Sequence, residues 1–260
     1  MNNNPIGVFD SGVGGISIWN EIVTLLPNEN TIYLADSKNA PYGQKTKEDI
    51  INLSIKNTEY LLSKGCKIII VACNTATTNA INYLRKHYAV PFIGIEPAIK
   101  PAALHSKTKN IGILATKGTL NSDLFTKTSD NLSDEITIIE QIGEGLVPLI
   151  ETGKINSKKM DILLNKYIHN LMNSNIDYLV LGCTHYPFLI PKIKKIVKDK
   201  ITIIDSGEAV AKQTKAVLIK INLLNDNVEK GKHQLYSNLN EKIIAQFIKE
   251  KKTKINFLDF

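Results

Sequence analysis

The chain has 260 residues, 43% of them hydrophobic, and a formal net charge of +7, which suits one large or two small folded domains. Its longest apolar runs are five or six residues, and its start, MNNNPIGVFD, has neither a basic nor a long apolar stretch. No membrane partner and a cytoplasmic location are therefore expected. The positive charge is almost all lysine, Arg85 being the only arginine, which argues against a nucleic-acid partner. Three cysteines without CxxC spacing argue against a disulfide framework or a metal site.

Strands are expected at IGVF (6–9), TIYLA (31–35), KIIIVA (67–72) and FIGI (92–95). A second series follows at NIGILA (110–115), ITIIE (136–140), YLVLG (178–182) and ITIID (201–205). Amphipathic helical stretches lie between them, such as residues 48–65, with Thr46 as its cap and Gly65 as its stop. This alternation predicts an α/β fold of mainly parallel sheets flanked by helices, with ligands at the carboxyl ends of the strands. The two series read as a repeat. VACNT resembles LGCTH, and Glu96 follows Cys73 by 23 residues as Asp205 follows Cys183 by 22. Two similar lobes related by a pseudo-twofold axis are expected, with the active site in the cleft between them. Lobe A is expected to be 1–97, with 208–260 (a helix, the strand-like HQLYS, a helix and INFLDF) returning to it. Lobe B is expected to be 98–207.

Cys73 and Cys183 end two buried strands, one on each wall of that cleft. A thiol can serve as base or acid by its protonation state, and inverting a carbon needs one of each on opposite faces. At its ordinary pKa a thiol is only about 3% thiolate at pH 7. A helix start directly after each cysteine is expected to raise that fraction. A lone cysteine at a strand end is more simply a small buried hydrophobe, and Cys66, in SKGCKI, is read that way. In FDSGVGG, Asp10 could attract an ammonium group or merely cap a helix, and Ser11 could donate to a carboxylate. Ser17 stands where the dinucleotide fingerprint needs glycine, and no cofactor is expected. Pro41 and Gly43 predict a turn that exposes Tyr42 and nearby amides. His185 is the best histidine candidate, while His87, His105, His169 and His233 read as surface residues. Glu151, before Gly153, reads locally as exposed. Two other classes fit these residues: a thiol hydrolase with Cys73 as nucleophile and His185 as base, and a two-lobed binding protein without chemistry.

VFDSGVGG, APYG, VACNTAT, GIEPA, VPLIETG, LGCTHYPFL and DSGEAVA, in this order from residue 8 to about 211, resemble the glutamate racemases, cofactor-independent enzymes of the aspartate/glutamate racemase group. The resemblance implies Cys73 and Cys183 as the acid/base thiols, assisted by Asp10, Glu151 and His185. It implies substrate contacts at Asp10, Ser11, Tyr42, Gly43, Asn74, Thr75, Thr184 and His185. It also implies glutamate as substrate, with Cys73 acting on the D- and Cys183 on the L-enantiomer, a role in supplying D-glutamate for peptidoglycan, and a homodimer. A racemase for aspartate or a related acid is the nearest alternative. Phe125 and Lys117 depart from the family pattern, both away from the catalytic positions.

Overall fold

The computed structural model describes residues 3–133, 135–250 and 253–260. Among these described residues, ten strands form two all-parallel sheets. The first contains β1 (Ile6–Asp10), β2 (Thr31–Ala35), β3 (Ile68–Val71) and β4 (Phe92–Gly94). The second contains β5 (Asn110–Ala115), β6 (Thr137–Ile142), β7 (Tyr178–Gly182) and β8 (Thr202–Ile204). The C-terminal strands β9 (His233–Ser237) and β10 (Thr253–Phe257) extend the first sheet beyond β2. The orders are β10-β9-β2-β1-β3-β4 and β6-β5-β7-β8. The second sheet thus repeats the order β2-β1-β3-β4 with the equivalent strands, and the two cysteines follow the equivalent strands β3 and β7.

The helices are α1 (Ile16–Leu25), α2 (Lys47–Ser63), α3 (Asn74–His87), α4 (Ile99–His105), α5 (Lys117–Leu120) and α6 (Asp123–Asp130). They continue with α7 (Leu146–Glu151), α8 (Lys158–Met172), α9 (Ile190–Val197), α10 (Gly207–Lys220) and α11 (Glu241–Ile244). Among the described residues no helix is long and apolar enough to cross a membrane. The ends of α2 follow from its sequence. Thr46 accepts a hydrogen bond from the Asp49 amide at 3.1 Å, satisfying a first-turn donor. At the other end Gly65 takes φ of 74°, and the amides of Cys66 and Gly65 return to the carbonyls of Leu61 and Leu62. That is a Schellman closure, which needs a residue without Cβ strain.

Strands β1, β2 and β3 are buried along their whole length, as parallel strands covered on both faces must be. The largest apolar cluster runs through both sheets, joining Val8, Trp19 and Ile70 to Leu146, Leu179 and Leu189. A second cluster covers the other face of the first sheet, around Leu61, Ile69 and Leu84. Cys66 belongs to it, where burial pushes its thiol up to about 12. Phe125 fills a third cluster against Ile113 and Val180, and Lys117 is exposed at the start of α5.

His233 departs from the expected surface position. It is buried at the start of β9, in hydrogen-bonding contact with Thr31 Oγ1 at 3.0 Å and edge-on to Trp19. The sequence shows only a polar flank here, and the pairing of β9 with β2 is what covers it. Below the same sheet lies a buried ion pair, Lys67 Nζ to Glu29 Oε2 at 2.7 Å, with each side chain 1% exposed. Glu29 also accepts from the Asn225 amide at 2.7 Å. Lys67→Met removes the counter-ion from a carboxylate that stays buried, so an expected stability loss of about 3–5 kcal/mol should appear as a lower urea midpoint. An unchanged midpoint would show that the pair contributes nothing net.

Candidate active site

The first wall of the cleft is built at the tips of β1 and β3. Asp10 ends β1 fully buried, and its Oδ2 accepts from the Gly15 amide at 2.6 Å and from Thr184 Oγ1 at 3.3 Å. Burial pushes its carboxyl above the usual range, against the opposing pull of His185. Cys73 is the N-cap of α3 and accepts from the Ala76 amide at 3.4 Å. Its thiol lies 3.6 Å from Ser11 Oγ, which donates to Asp10 Oδ1 at 3.3 Å. Burial, and then the charge of Asp10, push the Cys73 thiol well above its ordinary value, outweighing the α3 start expected to favour the thiolate.

The second wall is built at the tip of β7. Cys183 Sγ lies 3.7 Å from His185 Nδ1, and His185 Nε2 lies 2.5 Å from Glu151 Oε1. Burial alone would lower the imidazole pKa. The hydrogen bonds and charges of Cys183 and Glu151 outweigh it and hold His185 well above its ordinary range. Glu151 is not exposed as its local sequence suggests, since its side chain is 8% exposed. The reason is tertiary: Glu151 Oε1 also accepts from the Val13 amide at 2.7 Å and Oε2 from Ser37 Oγ at 2.8 Å. One carboxylate therefore ties α7 to two loops of the first sheet. The glycines of DSGVGG serve the same approach, because a Cβ on Gly12 would collide with the Glu151 carboxylate and one on Gly14 with the His185 ring.

Two further expectations need correction. Tyr42 is not exposed by its turn. It is 1% exposed, its hydroxyl donates to Asp36 Oδ2 at 2.5 Å and accepts from Asn57 Nδ2 at 3.2 Å. Its ring fills the core beside Leu61, and Pro41 and Gly43 border the cleft with it. The helix expected directly after Cys183 is instead a bend followed by a short 3-10 turn, Tyr186–Leu189, with α9 beginning at Ile190. The hydrolase pairing also fails on placement: His185 stands against Cys183, on its own strand tip, rather than against Cys73.

Both thiols line a single cavity between the walls, together with Ser11, Tyr42, Gly43, Asn74, Thr75, Thr184 and His185. Asp10 and Glu151 stand one layer behind. The cavity is about 10 Å³, room for about one water. An adjoining cavity of about 710 Å³ shares Pro41, Gly43, Thr116 and Val147 with it and carries Lys45, Lys47 and Lys117. Among the described residues the buried Oδ1 and Nδ2 of Asn74 have no hydrogen-bond partner. No group of three or more His, Cys, Asp or Glu among the described residues is placed to hold a metal.

Several contacts across the cleft were not evident in the sequence. Ser17 Oγ donates to the Thr184 carbonyl at 2.9 Å, and Thr75 Oγ1 lies 2.9 Å from Thr116 Oγ1 and 3.3 Å from Thr119 Oγ1. The repeat holds a signal for one of them: Thr116 follows β5 where Asp10 ends the equivalent β1.

Known proteins share this architecture. A solved glutamate racemase from Bacillus anthracis superposes with a TM-score of 0.88 at 28% identity, covering 100% of this chain and 98% of that one. The glutamate racemase from Francisella tularensis, solved in complex with D-glutamate, gives a TM-score of 0.86 at 27% identity, covering 99% and 98%. The glutamate racemase of Ralstonia pickettii is 47% identical over 80% of this chain and 74% of its own length. A family model described as Asp/Glu/Hydantoin racemase matches residues 6–214. With two thiols facing one cavity in this frame, the chain belongs to the Asp/Glu/hydantoin racemase family.

Proposed function

We propose that this protein interconverts L- and D-glutamate by proton transfer at the α-carbon, using two cysteines and no cofactor. The observation that carries the reading is the pair of thiols at equivalent strand tips, lining one cavity from opposite walls. One thiolate removes the α-proton and the opposite thiol delivers another to the other face, so the proton count balances with inversion. Each thiol has its own support. A proton leaving Cys183 can move to His185, whose imidazolium Glu151 stabilises. Cys73 is linked through Ser11 to Asp10, which burial makes more basic. In one direction Cys73 is the base and Cys183 the acid, and in the other they exchange.

Deprotonation builds negative charge on the adjacent carboxylate. The amides of Asn74 and Thr75 lie in the first turn of α3, where backbone donors lack helical partners and the helix dipole is positive. The buried amide of Asn74 offers both a donor and an acceptor to an amino acid's carboxylate and ammonium groups. On the other wall Thr184 and His185 complete the cradle. Residues 1–97 with 208–260 act as one lobe and 98–207 as the other. The enzyme works in the cytoplasm as a homodimer and supplies D-glutamate for peptidoglycan.

The direct test is to incubate the purified protein with L-glutamate and follow optical rotation. Decay to zero rotation is expected, and constant rotation refutes the reading. Chain length is set by Ser11 and the Tyr42–Gly43 turn, which hold the distal carboxylate. Aspartate is one methylene shorter and cannot seat both carboxylates with its α-carbon centred. A displacement of about 1 Å costs a factor near 100, so glutamate is expected to exceed aspartate by at least about that factor in kcat/KM. Equal efficiencies would reassign the substrate.

A further inference from the structure

We propose that Tyr33 is a positioning residue for the Cys183 half of the site, acting through the single peptide plane between Gly12 and Val13. Tyr33 lies on β2 within the first sheet, and its hydroxyl donates to the Gly12 carbonyl at 2.7 Å. The N–H of that same peptide unit belongs to Val13, and it donates to Glu151 Oε1 at 2.7 Å. This oxygen also takes His185 Nε2 at 2.5 Å, and the far side of the imidazole meets Cys183. Peptide planes are rigid, so the Tyr33 hydroxyl sets the direction in which the Val13 N–H points. A buried tyrosine at the foot of one wall is thereby connected to the thiol of the other.

The apolar cluster around the ring does not require the hydroxyl. Tyr33 is fully buried within the main apolar cluster, where a phenylalanine would fill the same space without a polar group to satisfy. Burial, and the nearby carboxylates of Asp10 and Glu151, push the phenol well above its usual range, so it remains a donor at every working pH. Its oxygen also fills the space beneath Gly15, where a Cβ would approach it to 2.9 Å. The DSGVGG loop is thus held from below by Tyr33 and from across the cleft by Glu151. Hydrogen-bond chains of this kind polarise one another in a low-dielectric interior.

The test compares Tyr33→Phe with Thr31→Val. Thr31 precedes Tyr33 by two residues on the same face of β2, and its hydroxyl oxygen accepts from Trp19 Nε1 at 2.9 Å, away from the loop. Two readouts are taken. One is the kinetics of glutamate racemisation, which rests on the function proposed above. The other is the downfield proton resonance of the His185–Glu151 hydrogen bond, which needs no substrate. Tyr33→Phe should lower kcat about 10-fold with KM changed less than about twofold, the signature of a misdirected catalytic group, and should move the resonance. Thr31→Val should change neither. Should Tyr33→Phe fail to fold, 3,5-difluorotyrosine at position 33 keeps the ring and alters the donor, and the resonance should again move. A folded Tyr33→Phe with normal kcat and an unmoved resonance overturns the proposal, as does Thr31→Val reproducing both effects. A resonance that moves in a protein that does not racemise glutamate would sink the function and leave the positioning role standing.

Discussion

Cys73→Ala and Cys183→Ala should each abolish inversion of glutamate, with a loss of about 10³-fold or more, since either leaves one face of the α-carbon without its acid or base. The same variants should separate the two half-reactions. In heavy water, Cys73→Ala retains the Cys183–His185–Glu151 group and is expected to wash deuterium into L-glutamate without forming the D-enantiomer, and Cys183→Ala should do the reverse. In the native enzyme, D-glutamate formed early from L-glutamate should carry deuterium at Cα while the remaining L-glutamate does not. Rapid labelling of recovered L-glutamate by the native enzyme would mean one base serves both faces.

Glu151→Gln is expected to have the second-largest effect, about 10²–10³-fold in kcat/KM, because it removes the charge that keeps His185 protonated. Without that carboxylate, burial, which favours the neutral imidazole, is opposed by the hydrogen bond and charge of Cys183 without the help of Glu151. The alkaline limb of the pH profile, where His185 loses its proton, should therefore move to lower pH. The linkage to stability has the same sign. A histidine whose native pKa is raised contributes fully below about pH 6.5, its unfolded value, and loses that contribution as pH rises through the native pKa. The variant should thus be less stable than the parent near pH 6, with the gap closing at alkaline pH. A pH profile unchanged in shape would show that Glu151 acts only as a tie between the walls.

The strands were legible because parallel strands covered on both faces are continuous apolar runs, and IGVF, KIIIVA and YLVLG read as nothing else. The cysteines stood out because a repeat places them equivalently, and the observed strand orders carry the same equivalence. Less legible was everything fixed by one wall touching the other. Ser17 sits in the first turn of α1, Ser37 in a short turn after β2 and Thr116 at the cap of α5, and only the approach of the opposite wall makes them contacts. Tyr42 and His233 are buried against expectation for a related reason. Each has polar or turn-forming neighbours in sequence, while its cover comes from a distant segment: α2 over Tyr42, and β2 with Trp19 around His233. Nothing within TIYLA marks Tyr33, because sequence does not say where a hydroxyl points.

The two walls share a strand plan but not their supporting chemistry: Cys73 has a hydroxyl and a buried carboxyl, Cys183 an imidazole paired with a carboxylate. For mirror-image substrates of equal free energy, the equilibrium constant is one, and detailed balance forces kcat/KM to be the same in both directions. The asymmetry of the walls can therefore surface only in kcat and KM taken separately. Whichever enantiomer saturates the enzyme at lower concentration must also be turned over more slowly at saturation, in the same ratio.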